Sequence, residues 1–111
     1  MIVALFLLQA AIAEVSPASR EKYEPFRKCL VGQSRALTRS DADDQVILDE
    51  ARSKCMNANL SSGTAAMFAE IKAGATKEQA IDRVAALRMA AEEEALAGIR
   101  SIKSSKSSGE K

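Results

Sequence analysis

Residues 23–58 read YEPFRKCLVGQSRALTRSDADDQVILDEARSKCMNA, with two apolar stripes on either side of a polar break. At a spacing of three or four residues, the first stripe contains Tyr23, Phe26, Leu30, Gln33 and Leu37. At a similar spacing, the second contains Val46, Ile47, Leu48, Ala51, Cys55 and Ala58. This spacing is the period of one helix face. We therefore expect two amphipathic α-helices joined by a turn.

The chain has two cysteines, Cys29 and Cys55, and the midpoint between them falls at residue 42, inside the polar break. An antiparallel hairpin that turns there brings the cysteines level with each other, where the two apolar stripes also meet. We therefore predict a Cys29–Cys55 disulfide across a helical hairpin. The alternative is a pair of buried free thiols. A two-thiolate metal site is poorly supported, because the chain has no histidine to complete it.

Capping residues indicate where these helices begin. Ser16 and Pro17 suit the N-cap and the first position of a helix. Pro25 suits only a first turn, because inside a helix it removes a hydrogen bond and clashes with the preceding turn. We therefore expect the first helix to begin close to Pro25 or to bend there. The aspartates within residues 41–44 are expected to open the second helix, where negative charge suits the helix dipole.

The C-terminal half contains further helix boundaries. Residues 57–63, NANLSSG, are rich in turn formers and are expected to end the second helix. Thr64 would then cap a short helix, with Gly74 at its C-terminal end. Thr76 and Gln79 fit the capping box of a last helix. The predicted inner face of that helix contains Val84, Leu87, Ala91, Ala95, Ile99 and Ile102.

These elements predict one all-α domain. The 111 residues suffice for a single domain, and helix formers outweigh any alternating β-branched pattern. We predict a disulfide-stapled antiparallel helical hairpin packed with a short helix and a long Ala-rich C-terminal helix over residues 14–103. Residues 104–111 lack packing residues and are predicted to form a disordered polar tail.

Residues 1–13, MIVALFLLQAAIA, have no ionisable side chain and end in a small-x-small triplet. We predict a signal peptide cleaved between Ala13 and Glu14, and an exported protein that is periplasmic or extracellular. The predicted disulfide agrees, because such bonds persist outside the reducing cytosol. The apolar run is shorter than the roughly 20 residues of a membrane span. An uncleaved N-terminal anchor is the alternative, and we expect membrane association only through such an anchor.

Composition argues against several function classes. Without histidine there is no Ser-His-Asp or Cys-His arrangement, and bridged cysteines leave no thiolate. No glycine-rich loop is present to hold a phosphate. A net charge of +1 lacks the basic footprint of a nucleic-acid binder. We therefore predict no catalytic, metal or cofactor-binding residues, and no enzymatic activity.

Three motifs resemble ligand or modification sites. A calcium loop that began at Asp41 would need glycine and glutamate where the chain has Val46 and Arg52. Residues 59–61, Asn-Leu-Ser, form a glycosylation sequon, a triplet that also arises often by chance. The glutamates at 92–94 spread over about 200° of a helix, so they cannot converge on one ion. We interpret them as a solvated face.

What remains is a role in binding. Export, a disulfide and a long amphipathic last helix favour a non-enzymatic binding or structural protein of the periplasm or cell envelope. It would act on a protein partner, or associate with itself, through a helical face. The alternative is a secreted effector or inhibitor of a foreign protein. The alanine face of the last helix suits either an oligomer contact or packing on the hairpin, and the sequence leaves both open.

Overall fold

The computed structural model describes residues 14–109, which form four α-helices. These are α1 (Pro17–Leu37), α2 (Asp44–Lys54), α3 (Met56–Lys72) and α4 (Lys77–Gly109). No strand occurs in this range, and the predicted all-α fold is confirmed. The predicted signal peptide, with Ala13 at its end, lies outside the described residues, and Glu14 is the first residue described.

Helix α1 begins earlier than its internal proline suggests. The Ser16 hydroxyl accepts a hydrogen bond from the Ser19 N–H at 3.2 Å, and Pro17 lies in the first turn. Val15, directly before the cap, is buried. The expectation of a start near Pro25 is wrong, because α1 continues through it. Its ring is exposed to solvent, and the apolar stripe packed on the opposite side offsets the lost hydrogen bond.

The disulfide between Cys29 and Cys55 is present, with a Cα–Cα distance of 5.9 Å. It joins the middle of α1 to the junction between α2 and α3. Cys55 is both the C-cap of α2 and the N-cap of α3. The second arm of the hairpin therefore consists of two helices arranged end to end. A sequence separation of 26 residues corresponds to about 3.5 kcal/mol of stabilisation by loss of loop-closure entropy.

The turn predicted at residues 57–63 is wrong, because this segment is the first part of α3. Thr64 therefore lies inside a helix of 17 residues and caps nothing. Ser62 and Ala66 are buried on one side of α3, and such small side chains let helices approach closely. Packing of that side overrides the weak local preference of the segment for a turn.

The connection from α3 to α4 follows the predicted chemistry. Gly74 has φ +103°, a conformation that glycine adopts without strain. The N–H groups of Gly74 and Ala75 each donate at 3.0 Å to carbonyls of the last turn of α3. These two hydrogen bonds cap the C-terminus of α3. Thr76 and Gln79 form the capping box through reciprocal hydrogen bonds of 2.9 and 3.1 Å. Both predictions are confirmed.

Helix α4 packs along the hairpin. Ala91, Ala95 and Ile99 are buried within this single chain, so their face packs on the hairpin rather than remaining free for another copy. The helix has 33 residues, about 50 Å, close to the 54 Å length of the molecule. It continues to Gly109, so the described part of the segment predicted as a disordered tail is helical, and residues 104–106 are exposed.

Ion pairs also join α4 to the hairpin. Glu94 contacts Arg27 at 2.6 Å, and Glu92 contacts Arg52 at 2.5 Å. Two members of the acidic run predicted as a solvated face therefore bridge helices. Near the other end of α4, Lys103 contacts Asp44 at 2.6 Å and also donates to a backbone carbonyl of the hairpin turn.

Candidate protein-binding face

Helix α3 exposes large apolar side chains on the side away from the core. Their exposed fractions are Met56 57%, Leu60 64%, Phe68 68% and Ile71 45%. With about 100° of rotation per residue, the four lie within an arc of about 120° and over about 22 Å of helix. The buried residues of α3, Ser62, Ala66 and Glu70, lie on the opposite side. We call the four exposed residues the α3 outer face.

This pattern is unusual for a surface helix. Single exposed apolar residues are common on proteins, but here four share one helix face, two on either side of the exposed Thr64. The buried side of α3 consists of Ser62, Ala66 and Glu70, so the large apolar side chains of the outer face are exposed while small and polar ones are buried. The α3 outer face therefore has the character of a surface that another chain covers.

A shallow groove of about 550 Å³ lies beside this face, between α1 and α3. Small side chains form its floor: Ala18, Ala65, Ala69 and Ala73. Lys22 of α1, with Phe68 and Lys72 of α3, also lines it. We call it the α1/α3 groove. Because Phe68 belongs to both features, the groove and the α3 outer face form one continuous surface.

The charge of the groove is one-sided. Lys22 and Lys72 are exposed, and neither makes a hydrogen bond or ion pair with another described residue. No carboxylate lines the groove. By contrast, Arg27, Arg52 and Lys103 at the helix–helix contacts each face a carboxylate. The groove thus offers a partner an apolar floor and two unpaired positive charges.

A buried carboxylate cluster fixes the start of α1 against α3 close to this groove. Glu70 of α3 has no solvent exposure. One of its oxygens accepts from the Ser16 backbone N–H at 3.1 Å, the Ser16 hydroxyl at 2.6 Å and the Ser19 hydroxyl. The other accepts from Arg83 of α4 at 3.2 Å. Three helices therefore meet at one side chain, which is a neighbour in sequence of the groove residue Ala69.

The cluster favours the ionised form of Glu70. Burial alone would raise the pKa of this carboxyl, because it penalises the charge. The hydrogen bonds from Ser16 and Ser19, together with Arg83, outweigh burial and lower the pKa of Glu70 to about 2. The carboxylate is therefore ionised at neutral pH with its charge compensated. This arrangement serves to hold the helices in place.

Another concavity among the described residues is small. It lies between α1 and α4, measures about 90 Å³, and is lined by Tyr23, Arg27 and Glu94 among others. Small-molecule sites are typically about 300–1,000 Å³. The volume of this cleft is below that range, and the Arg27–Glu94 ion pair is part of its lining. The α1/α3 groove is the larger of the two candidate surfaces.

The structure also places the residues that the sequence singled out. Cys29 and Cys55 are bridged to each other. Asn59 of the sequon lies half-buried inside α3, where its side-chain oxygen accepts from the Tyr23 hydroxyl at 3.4 Å. Within the part of the chain that the structure describes, no three His, Cys, Asp or Glu side chains stand together as a metal site. None of the described helices is long and apolar enough to cross a bilayer.

From the sequence we expected binding through a helical face, considered the alanine face of the last helix as one possibility, and missed the α3 outer face. The signal was present: Met56, Leu60, Phe68 and Ile71 share one helical face if residues 56–72 form one helix. Assigning a turn to residues 57–63 divided that face into two unrelated parts.

Compared with known proteins, this chain matches no family model, no curated protein and no solved structure. The candidate site is therefore defined by its geometry and chemistry.

Proposed function

We propose that this chain is an exported, non-enzymatic binding protein that docks a protein partner on the α3 outer face and the α1/α3 groove. The observation that carries the proposal is the exposure of four large apolar side chains on one face of α3. Fully burying such a side chain is worth about 1.5–3 kcal/mol. Covering the exposed parts of all four would therefore recover several kcal/mol, enough to contribute substantially to a protein contact.

The proposed compartment is the periplasm or the extracellular space. Two features support export: the apolar segment 1–13 with its small-x-small end, and the Cys29–Cys55 disulfide. A disulfide is typical of proteins outside the reducing cytosol. A secreted effector or inhibitor would use the same surface, and would differ in where the protein is found and whose protein it contacts.

Site-specific photo-crosslinking tests the proposal in the host that makes the protein. A photoreactive residue is placed at Leu60 or at Phe68 of the full-length chain, and at Lys28 as an exposed control on α1 outside the groove lining. We expect Leu60 and Phe68 to yield the same protein adduct, identified by mass spectrometry, and Lys28 not to yield it.

The identity and location of the adduct distinguish the two proposed roles, an envelope protein and a secreted effector. An adduct recovered from the envelope favours a binding or structural role there, whereas an adduct with a foreign protein in the medium favours an effector. If neither Leu60 nor Phe68 yields an adduct above the level of an unmodified control, the proposed binding face is wrong.

A further inference from the structure

Helix α4 exposes a second surface, of opposite charge to the groove. Ile81 and Met89 are about half exposed on its outer side. Glu78, Asp82 and Glu93 are exposed beside them, and none of the three makes an ion pair or hydrogen bond with another described residue. We call these five residues the α4 outer arc. At about 100° per residue they lie within about 120° of the helix; the exposed Arg88 lies about 20° beyond its edge, and Glu92, within it, pairs with Arg52.

The two surfaces match in charge. The α4 outer arc spans residues 78–93, about 22 Å of helix, and the α3 residues of the groove, 65–73, cover about 12 Å. The arc has exposed apolar side chains and three unpaired carboxylates. The groove side has exposed apolar side chains and two unpaired ammonium groups, Lys22 and Lys72. Each surface therefore supplies what the other lacks.

We infer that the occupant of the groove is a second copy of this chain, whose α4 outer arc lies along the α1/α3 groove and contacts the α3 outer face at Phe68. This inference rests on the proposed function and names the partner. Laying an amphipathic helix in an apolar groove is a common recognition mode, and the alanine floor lets the incoming helix approach closely. The carboxylates of the arc then face Lys22 and Lys72.

The shape of the surface favours a helix over other occupants. A small molecule needs a pocket that encloses most of its surface, and this groove is shallow and open. An anionic bilayer would suit the two lysines, but membrane-binding faces combine many basic residues with apolar ones, and only two line the groove. The arc and the groove are different patches of the chain. If the arc of each copy lies in the groove of the other, a two-fold axis relates the copies and the assembly is a closed dimer. If each copy uses its arc on one neighbour and its groove on another, larger assemblies form.

A charge-swap experiment tests this inference on the full mature chain. Sedimentation equilibrium is measured from about 10 to 500 µM for the wild type, K22E/K72E and E78K/D82K/E93K, each alone, and for an equimolar mixture of the two variants. K28E/K106E is the matched control, since both of its lysines are exposed and lie outside the groove lining. Far-ultraviolet circular dichroism checks that every variant is folded.

We expect concentration-dependent association of the wild type and of the control. Each groove or arc variant alone should associate about tenfold more weakly, because two or more exposed attractions become repulsions. Mixing them should restore association, since the reversed charges again match. F68S should weaken association with no change of charge.

Three results would overturn the inference. They are a wild type that is monomeric throughout, an association that charge reversal leaves unchanged, and variants whose mixture shows no recovery. If the wild type is monomeric while Leu60 and Phe68 crosslink to a different protein, self-docking is wrong but the proposed binding face stands. Retention of the monomer on anionic phosphatidylserine vesicles, lost in K22E/K72E, would identify a bilayer as the occupant instead.

Discussion

Replacing Glu70 with glutamine removes the charge at the point where α1, α3 and α4 meet. In the fold, hydrogen bonds and Arg83 lower the pKa of this carboxyl from its ordinary value of 4.5 to about 2. A difference of that size between folded and unfolded chains corresponds to about 3 kcal/mol of stability at neutral pH. Glutamine keeps the shape and its amide oxygen can accept the hydrogen bonds from Ser16 and Ser19, but its NH₂ group then faces the guanidinium of Arg83, and the negative charge that compensates Arg83 is lost.

The pH dependence of this contribution has a definite sign. Because the pKa is lower in the fold, unfolding takes up a proton. The stabilisation is complete above pH 4.5, where the unfolded carboxyl is also ionised, and is lost as the pH falls towards 2. The wild type and E70Q should therefore differ by about 3 kcal/mol at pH 7 and converge near pH 2. Other carboxylates titrate equally in both proteins, so they cancel in the difference.

Urea denaturation followed by circular dichroism at 222 nm, at pH 7, 4 and 2.5, measures both effects. Glu21→Gln serves as the control: Glu21 is exposed and lies outside the cluster and the α4 outer arc, so its change should stay within about 0.5 kcal/mol. Equal stabilities of E70Q and wild type at pH 7 would show that the cluster does not stabilise the fold. A difference that persists unchanged to pH 2.5 would show that the carboxylate charge is not the cause.

Other predictions concern the Cys29–Cys55 disulfide, the buried Ser62 and the cleavage of a precursor. The C29S/C55S variant should lose about 3.5 kcal/mol in the same denaturation assay, because its unfolded chain regains loop freedom. S62A should gain about 1 kcal/mol, since the buried Ser62 hydroxyl has no hydrogen-bond partner among the described residues. The protein from its own host should have the mass of residues 14–111 and gain about 2 Da on reduction; a full-length mass with free thiols would contradict both export and the bridge.

The hairpin could be predicted because two independent patterns coincide in sequence. The apolar stripes give the facing sides of the helices, and the midpoint between Cys29 and Cys55 gives the turn. The capping box at Thr76 and Gln79 and the glycine at position 74 are equally local, since each depends on neighbouring residues. Local chemistry was sufficient for these features.

The remaining features depend on contacts that are distant in sequence. Residues 57–63 form a helix because Ser62 and the following turn pack inside the fold, and local turn preference cannot show this. Glu70 reads as an ordinary surface residue, because its partner Ser16 is 54 positions away. The candidate binding face was missed for the same reason, since it exists only when α3 is one continuous helix.

The buried position of Val15 and the capping role of Ser16 bear on how a precursor would mature. A cut between Ala13 and Glu14 lies one residue from packed structure. Proteases bind their substrates as extended chain on both sides of the bond that they cleave. Once Ser16 donates its hydrogen bonds to Glu70, the residues that follow the 13–14 bond are packed in the fold and are no longer extended. Cleavage and folding of a precursor would then compete. The predicted signal peptide would have to be removed before the first turn of α1 packs against α3, and a precursor that folds earlier would retain its signal peptide.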